Sequence, residues 1–482
     1  MVFASTVFLF LFLPLSLVLY YNPLCRSREY RNKVLLLVSL VFYAWGEPVF
    51  VVLMLFSIVY NYVCGIHISV LKEHNEEGLR KAWLRAAIGF DLALLFAFKY
   101  LVFTFENLGL LLGNQNLPSL RIELPVGISF FTFQIMSYIF DVYYGKTEAQ
   151  RSIFRLALYL SMFPQLIAGP IVRYGTVAEE IEHRHETLSD FSRGVTRMVC
   201  GLAKKVLLAN YVAQIADNIF SLVGTELAVS TAWLGAAAYS FQVYFDFSGY
   251  SDMAIGMGLM FGFHFEENFN YSFTCDSITD FWRRQHISLS KWFRDYVYIP
   301  LGGSRVSRRR WVLNLFVVWL LTGIWHGANW TFWLWGLYYF VLLVFEKFTG
   351  FPNQLTGYAR PLRHVYALIL TAVGMVIFRA ESLPNTARFI ANMFGAGASG
   401  LSDGVFTNYL ASGAWVLLAC VLFSMPVLPW IGRQFESGKL SGNNSAVALY
   451  DVVRSLALLG LFAVCVAVCA KSAYNPFIYY HF

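Results

Sequence analysis

Charge is scarce in this chain: Asp, Glu, Lys and Arg together make up 13% of its 482 residues, about half the share of an average soluble domain. With 58% hydrophobic residues and a mean hydropathy of +0.56, that scarcity excludes water as the main solvent. A soluble-looking block is missing as well. Long apolar stretches recur from Phe3 to Ala470 without one, which excludes the division into several soluble domains usual for this length. Cysteine is sparse and unpaired in pattern. The seven Cys (25, 64, 200, 275, 420, 465, 469) are scattered, with no C-x-x-C and no metal-like spacing, and read as small apolar packing residues. There is no internal repeat of the transporter kind and no low-complexity linker.

What is present is a series of apolar segments near the length of about 20 residues that a helix needs to cross a bilayer. Candidate spans are Phe3 to Tyr21, Val34 to Trp45, Pro48 to Leu71, Ala86 to Phe105, Leu124 to Val142, Met198 to Val223, Thr231 to Phe247, Trp311 to Trp325, Trp330 to Phe345, His364 to Phe378, Gly413 to Ile431 and Ala446 to Ala470. Val2 to Tyr21 lacks the positive start and the A-x-A-like site of a cleaved signal, and reads as the first spanning helix. Ile153 to Val172, with Pro164, Gly169 and Pro170 in its second half, and Met253 to Phe263, short and Gly-rich, read instead as broken or re-entrant helices. The expectation is an all-α polytopic membrane bundle of about 11 to 13 spans with re-entrant or interfacial helices. It forms one integral membrane domain over residues 1–482.

The net charge of +7 sits in short basic clusters between apolar segments. That pattern fits the positive-inside rule and lipid headgroups as partners, not nucleic acid. Arg26, Arg28, Arg31 and Lys33 place the first loop inside, and alternation puts Lys72, Arg80, Lys81 and Arg85 inside too. On this count 107–119, 224–230 and 384–412 fall outside, 283–310 falls inside, and both termini are outside.

Chemistry concentrates between Asp280 and Glu346: F-W-R-R-Q-H-I-S-L-S-K-W-F-R-D-Y-V-Y-I-P-L-G-G-S-R, then R-R-R-W, then W-L-L-T-G-I-W-H-G-A-N-W. His326 ends an apolar segment among Trp325, Trp330, Trp333 and Trp335. An ionisable ring there is costly without a partner, so a functional role competes evenly with a hydrogen-bonded histidine of the bundle or the interface. A neutral imidazole, with an unperturbed pKa near 6.5, can take a proton from a hydroxyl, which suits His326 to general-base acyl transfer. Asp280 to Pro300 reads as one amphipathic helix with Trp282, His286, Leu289 and Phe293 on one face, so that His286 points inward. A histidine merely packed beside Trp282 is the other reading. Arg283, Arg284, Lys291 and Arg294 fall largely elsewhere on that helix and suit the phosphates of a nucleotide-like acyl donor or of lipids.

Other chemistries are poorly served. Lys291 and Thr331 stand where a soluble acyltransferase H-x-x-x-x-D would need Asp, and no G-x-S-x-G, Walker A or G-x-G-x-x-G loop is present. The E-H-R-H-E run at Glu182 to Glu186 offers metal-ligand types, but alternating charges in a polar loop are more often solvated. Asp141, Asp246 and Asp252, in or beside apolar segments, can pair with Arg or orient a histidine.

Several motifs in one order carry a resemblance. They are M-V-F-A-S-T-V-F-L-F-L-F-L-P at the start, L-V-F-Y-A-W-G-E-P near residue 45, L-P-V-G-I-S-F-F-T-F-Q at Leu124, and F-P-Q-L-I-A-G-P-I-V-R at Phe163. Y-F-D-F-S-G-Y-S-D-M-A-I-G follows at Tyr244, then the region above, then Y-N-P-F-I-Y-Y-H-F at the end. Over nearly its whole length the chain resembles the membrane-bound O-acyltransferase superfamily, in its bacterial branch of alginate and other polysaccharide O-acetyltransferase membrane subunits. The motif-rich core is about 124–346. The resemblance implies a helical ring around a central funnel, His326 as the catalytic histidine and His286 as the second, upstream polar position. It implies acetyl-CoA as acyl donor with no permanently bound cofactor or metal, and a place in the bacterial cytoplasmic membrane. It also implies an extracytoplasmic acyl-transfer partner protein that modifies the polysaccharide. D-alanyl transfer to teichoic acid is the rival within the family, and a transporter or flippase the rival outside it.

Overall fold

In hydrocarbon every backbone N–H and C=O must be satisfied within its own segment, and the apolar stretches accordingly fold as helices. In the computed structural model the described residues are 1–113, 122–222, 227–436, 444–471 and 474–476, and among them there is no strand. The loops expected outside at 107–119 and 224–230, and the closing sequence motif, lie partly beyond the described residues.

The first helix, α1 (Phe8–Tyr20), is followed by α2 (Arg28–Gly46), α3 (Phe50–Glu73) and α4 (Glu77–Leu112). Helix α4 contains a π turn at Phe96–Tyr100. Next come α5 (Ile128–Tyr144), α6 (Ile153–Ser161), α7 (Phe163–Leu166) and α8 (Tyr174–His183). A second π turn, Lys204–Ala209, lies within α9 (Leu188–Ser221). The long α10 (Val229–Met260) leads to two short helices, α11 (Ile278–Arg284) and α12 (Ile287–Phe293). The chain continues through α13 (Arg308–His326), α14 (Trp330–Thr349), α15 (Pro361–Arg379) and α16 (Leu383–Met393). It ends with α17 (Gly404–Phe423), α18 (Val427–Glu436) and α19 (Asn444–Lys471).

Seven of these helical segments are long and apolar enough to span a membrane by themselves. The protein is therefore a multi-pass membrane protein. The remaining expected spans fall on α1, α2, α5, α10 and α13, which are short or carry polar residues; α5 and α10 are largely buried by their neighbours.

Two expectations need correction. Met253 to Phe263 is not a broken helix, because α10 runs unbroken to Met260. Its glycines serve packing. A Cβ on Gly256 would lie 2.6 Å from the Gly194 carbonyl oxygen, and one on Gly249 would lie 2.7 Å from that of Gly201. The bare backbones of α9 and α10 therefore touch, as small residues allow between membrane helices. Asp280 to Pro300 is not one helix either. It breaks between Arg284 and Ile287, where His286 adopts a left-handed conformation at φ 48°, ψ 53°. The other irregular stretch behaves as expected, with Ile153–Ser161 and Phe163–Leu166 separated at Met162 and buried.

Buried apolar residues form two clusters. One gathers α1, α2, α3 and α5 to α8, and the other gathers α14, α15 and the second half of α9. Helix α10 contributes to both, through Tyr250 and Met253 to the first and through Tyr239 and Tyr244 to the second.

On the face assigned inside, the E-H-R-H-E run departs from the solvated loop expected of it. Glu186 accepts from Arg28 (2.5 Å), Arg31 (2.6 Å) and the Tyr20 hydroxyl (2.5 Å). Arg184 is buried and donates to Asn32 Oδ1 at 2.7 Å. Two residues of a polar-looking run thus tie the loop between α8 and α9 to α1 and α2. Among the described residues no three His, Cys, Asp or Glu side chains gather as metal ligands would, in this run or elsewhere.

Candidate active site

His326 is the last residue of α13, where the final carbonyls of a helix have no partner within it. The π turn of α4 supplies partners. The Tyr100 hydroxyl donates to the carbonyls of Ile324 and of Gly327 (2.9 Å), and Lys99 Nζ donates to the carbonyl of Trp325. Lys99 also reaches Ser129 Oγ at 3.4 Å. A cation at a helix C-terminus opposes the negative end of its dipole, and the π turn is a device that recurs at functional sites.

The buried His326 ring packs edge-on against Trp325 (5.0 Å between centroids), Trp335 (4.9 Å) and Phe378 (5.0 Å). Trp325 belongs to the first apolar cluster and the other two to the second. His326 therefore stands at the seam between them. Beside it lies a cavity of about 40 Å³, lined by Lys99, Gly127, Ser129, Phe130, Trp325 and His326 among others. That volume holds a few waters.

His286 is also buried, and its ring lies 4.5 Å from Phe247, 5.9 Å from Trp325 and 6.4 Å from Phe130. The indole of Trp325 thus contacts both histidines. A left-handed non-glycine residue costs on the order of 1–3 kcal/mol and is held in place by its surroundings. Here the Asn268 loop holds it: Ile287 N–H donates to the Asn268 carbonyl (2.9 Å) and Asn270 N–H to the Arg284 carbonyl (2.9 Å). His286 Nδ1 lies 3.3 Å from Asn268 Oδ1, while Nε2 is buried without a hydrogen-bond partner among the described residues.

The four basic residues do not join this pair. Arg284 is bonded to Asp280 (2.9 Å), Lys291 to Glu266 (2.7 Å) and Arg294 to Asp295 (2.6 Å). Arg283 is exposed, and none of the four lines the cavity beside His326. The aspartates find cations: Asp246 lies 2.6 Å from Lys205, and Asp252 lies 2.9 Å from Arg197 and 2.6 Å from Lys204. Asp141 is 3.7 Å from Lys146.

Sequence reasoning missed Lys99, Tyr100 and Asn268. Lys99 had a usable signal, being a cation inside the candidate span Ala86 to Phe105. Asn268, in a polar stretch between helices, had none.

Fold and site together define a polytopic helical membrane protein with two buried imidazoles meeting on one indole, a set of groups suited to moving protons in a dry interior. A family model of membrane-bound O-acyltransferases matches residues 127–378, a stretch that contains both histidines. A probable alginate O-acetylase of Azotobacter vinelandii is 42% identical, with 100% of each chain covered. One of Pseudomonas aeruginosa is 39% identical over 100% of each. A peptidoglycan O-acetyltransferase of Helicobacter pylori is 33% identical over 82% of this chain and 80% of that protein. The chain belongs to the membrane-bound O-acyltransferase family, and it is an O-acyltransferase.

Proposed function

We propose that the protein is the membrane subunit of a polysaccharide O-acetylation system in the bacterial cytoplasmic membrane. It takes acetyl from a cytoplasmic donor, acetyl-CoA, and passes it outwards to an extracytoplasmic partner that completes transfer to the glycan. The acetyl assignment is supported by relatives whose names specify acetyl transfer to alginate and to peptidoglycan. The observation that carries the reading is His326, buried beside a small cavity at the end of its helix and steadied there by Lys99 and Tyr100.

In the proposed step neutral His326 takes the proton of an acceptor hydroxyl as the oxygen attacks the thioester carbonyl. The C–S bond breaks as the new C–O bond forms, and the sulfur leaves with the proton returned by the imidazolium. His286 positions the reacting groups. For the donor's phosphates, Arg283 is the most available of the four basic residues, since the other three are paired with carboxylates.

The test is the O-acetyl content of surface polysaccharide in cells lacking the gene, complemented with wild type or His326→Ala at equal membrane abundance. Acetyl restored by wild type alone supports the reading. Unchanged acetyl in all strains overturns it and moves D-alanyl transfer forward.

A further inference from the structure

Asn268 is fully buried beneath the break that carries His286. Its Oδ1 accepts from the Ser288 backbone N–H (3.1 Å) and from Ser288 Oγ (2.9 Å), while its Nδ2 donates to Ser251 Oγ (3.1 Å) on α10. Ser288 Oγ in turn accepts from Ile171 N–H at 3.0 Å, so its own hydrogen is directed to Asn268. Turning the amide over would set its NH₂ against the Ser288 N–H, and a backbone N–H can only donate. A fixed backbone donor therefore determines which amide atom is oxygen, the ambiguity usual for Asn. His286 Nδ1 faces that same oxygen at 3.3 Å. An amide oxygen has no hydrogen to give, so the contact is a hydrogen bond only with the proton on Nδ1.

We propose that Asn268 is a positioning residue that holds neutral His286 as the Nδ1–H tautomer, so that its Nε2 presents a lone pair, and not an N–H, to the reacting groups. The imidazole packs against the rings of Phe247, Trp325 and Phe130, and its Nε2 is buried with no hydrogen-bond partner among the described residues. A lone pair there accepts from O–H or S–H and repels a carbonyl oxygen or oxyanion. The attacking hydroxyl has one hydrogen, which goes to His326, so His286 in this form aligns a second O–H or S–H of the reacting molecules and does not stabilise the charge that develops on the acyl oxygen. Ser251 carries the same arrangement back to α10, which links one of the chain's longest motifs to the second histidine. The role in catalysis rests on the acyl-transfer reading above, whereas the tautomer does not.

Nitrogen NMR of wild-type protein labelled with ¹⁵N-histidine, in lipid nanodiscs at neutral pH, reads the tautomer directly, with His286→Gln assigning the signal. A proton bonded to Nδ1 and a bare Nε2 are expected. A proton on Nε2 overturns the proposal whatever the protein's activity. The role is read from acetyl transfer by two variants at equal folded abundance. Asn268→Asp keeps an oxygen for Nδ1–H and Ser288 and should hold kcat within about 10-fold of wild type. Asn268→Leu should lose about 100-fold in kcat with KM for the donor unchanged, the scale of a misplaced reacting group. Equal kcat in the two variants overturns the positioning role. A wild-type protein that transfers no acetyl, with the Nδ1–H signal present, overturns the proposed function and leaves the tautomer standing.

Discussion

Lys99 donates a hydrogen bond to the backbone carbonyl of Trp325, so an amine from α4 closes the C-terminal end of the helix that carries His326. Two helices far apart in sequence are thereby pinned at the candidate base. Lys99→Met removes the hydrogen bond that closes this helix end. Acyl transfer should fall about 100-fold, as for a reacting group displaced by about 1 Å, with membrane abundance unchanged. Activity within twofold of wild type in isolated membranes would show that Lys99 does not hold His326.

The seam between α9 and α10 has no room for side chains at its glycines. Gly256→Val would drive a branched side chain into the Gly194 carbonyl, which already lies 2.6 Å from an ideal Cβ. Overpacking of this kind costs about 1–3 kcal/mol, and fluorescence-detected thermal unfolding in detergent should show a lower midpoint. Gly89→Ala is the control, because a Cβ there meets nothing within 4 Å. It should leave the midpoint unchanged or raise it.

Lys205 and Asp246 form an ion pair 2.6 Å long with both side chains 2% exposed. Lys205→Met takes the cation away from a buried carboxylate, and breaking one side of such a pair costs about 3–5 kcal/mol. Adding Asp246→Asn to Lys205→Met should recover part of that loss. A double-mutant cycle on unfolding in detergent measures the coupling, and strict additivity of the two substitutions would contradict it.

Glu186 gives the inside face a pH dependence. Burial opposes its ionisation, but hydrogen bonds from Arg28 and Tyr20 and the charges of Arg28 and Arg31 outweigh it, bringing the carboxyl from the ordinary 4.5 down to about 2. A group depressed on folding stabilises the fold fully above its unfolded pKa, and that contribution is lost as pH falls towards the folded one. Unfolding midpoints should therefore decline between about pH 4.5 and pH 2, in part through Glu186. Glu186→Gln should be less stable at neutral pH and show a shallower decline. Equal slopes for the two proteins would remove Glu186 as a source.

Much of the architecture was legible because hydropathy is a local property. Most expected spans fall on helices, although Gly413 to Ile431 is interrupted at 424–426 between α17 and α18, and the proline and glycine of Ile153 to Val172 mark a true break. The same reasoning misread Met253 to Phe263, because glycine there meets a neighbouring backbone instead of ending a helix. It also misread Asp280 to Pro300. The apolar spacing was right in burying His286, yet nothing in that spacing reveals a left-handed residue held by a loop. Arg184 and Glu186 looked solvated because their partners, Tyr20, Arg28, Arg31 and Asn32, belong to the first two helices.

By itself the sequence determined the solvent, the place of most helices and the two histidines worth watching. Each of these follows from short-range pattern: apolar length, basic clusters between spans, and an ionisable ring in an apolar setting. Tertiary structure decided which groups meet. It brought His286 and His326 into contact with the one ring of Trp325, and carried Lys99 across a separation of 226 residues to the end of α13. It also set Asn268 beneath His286 with its oxygen fixed by a backbone donor. These arrangements depend on how helices and loops distant in sequence pack together, a relation that no local pattern of residues encodes.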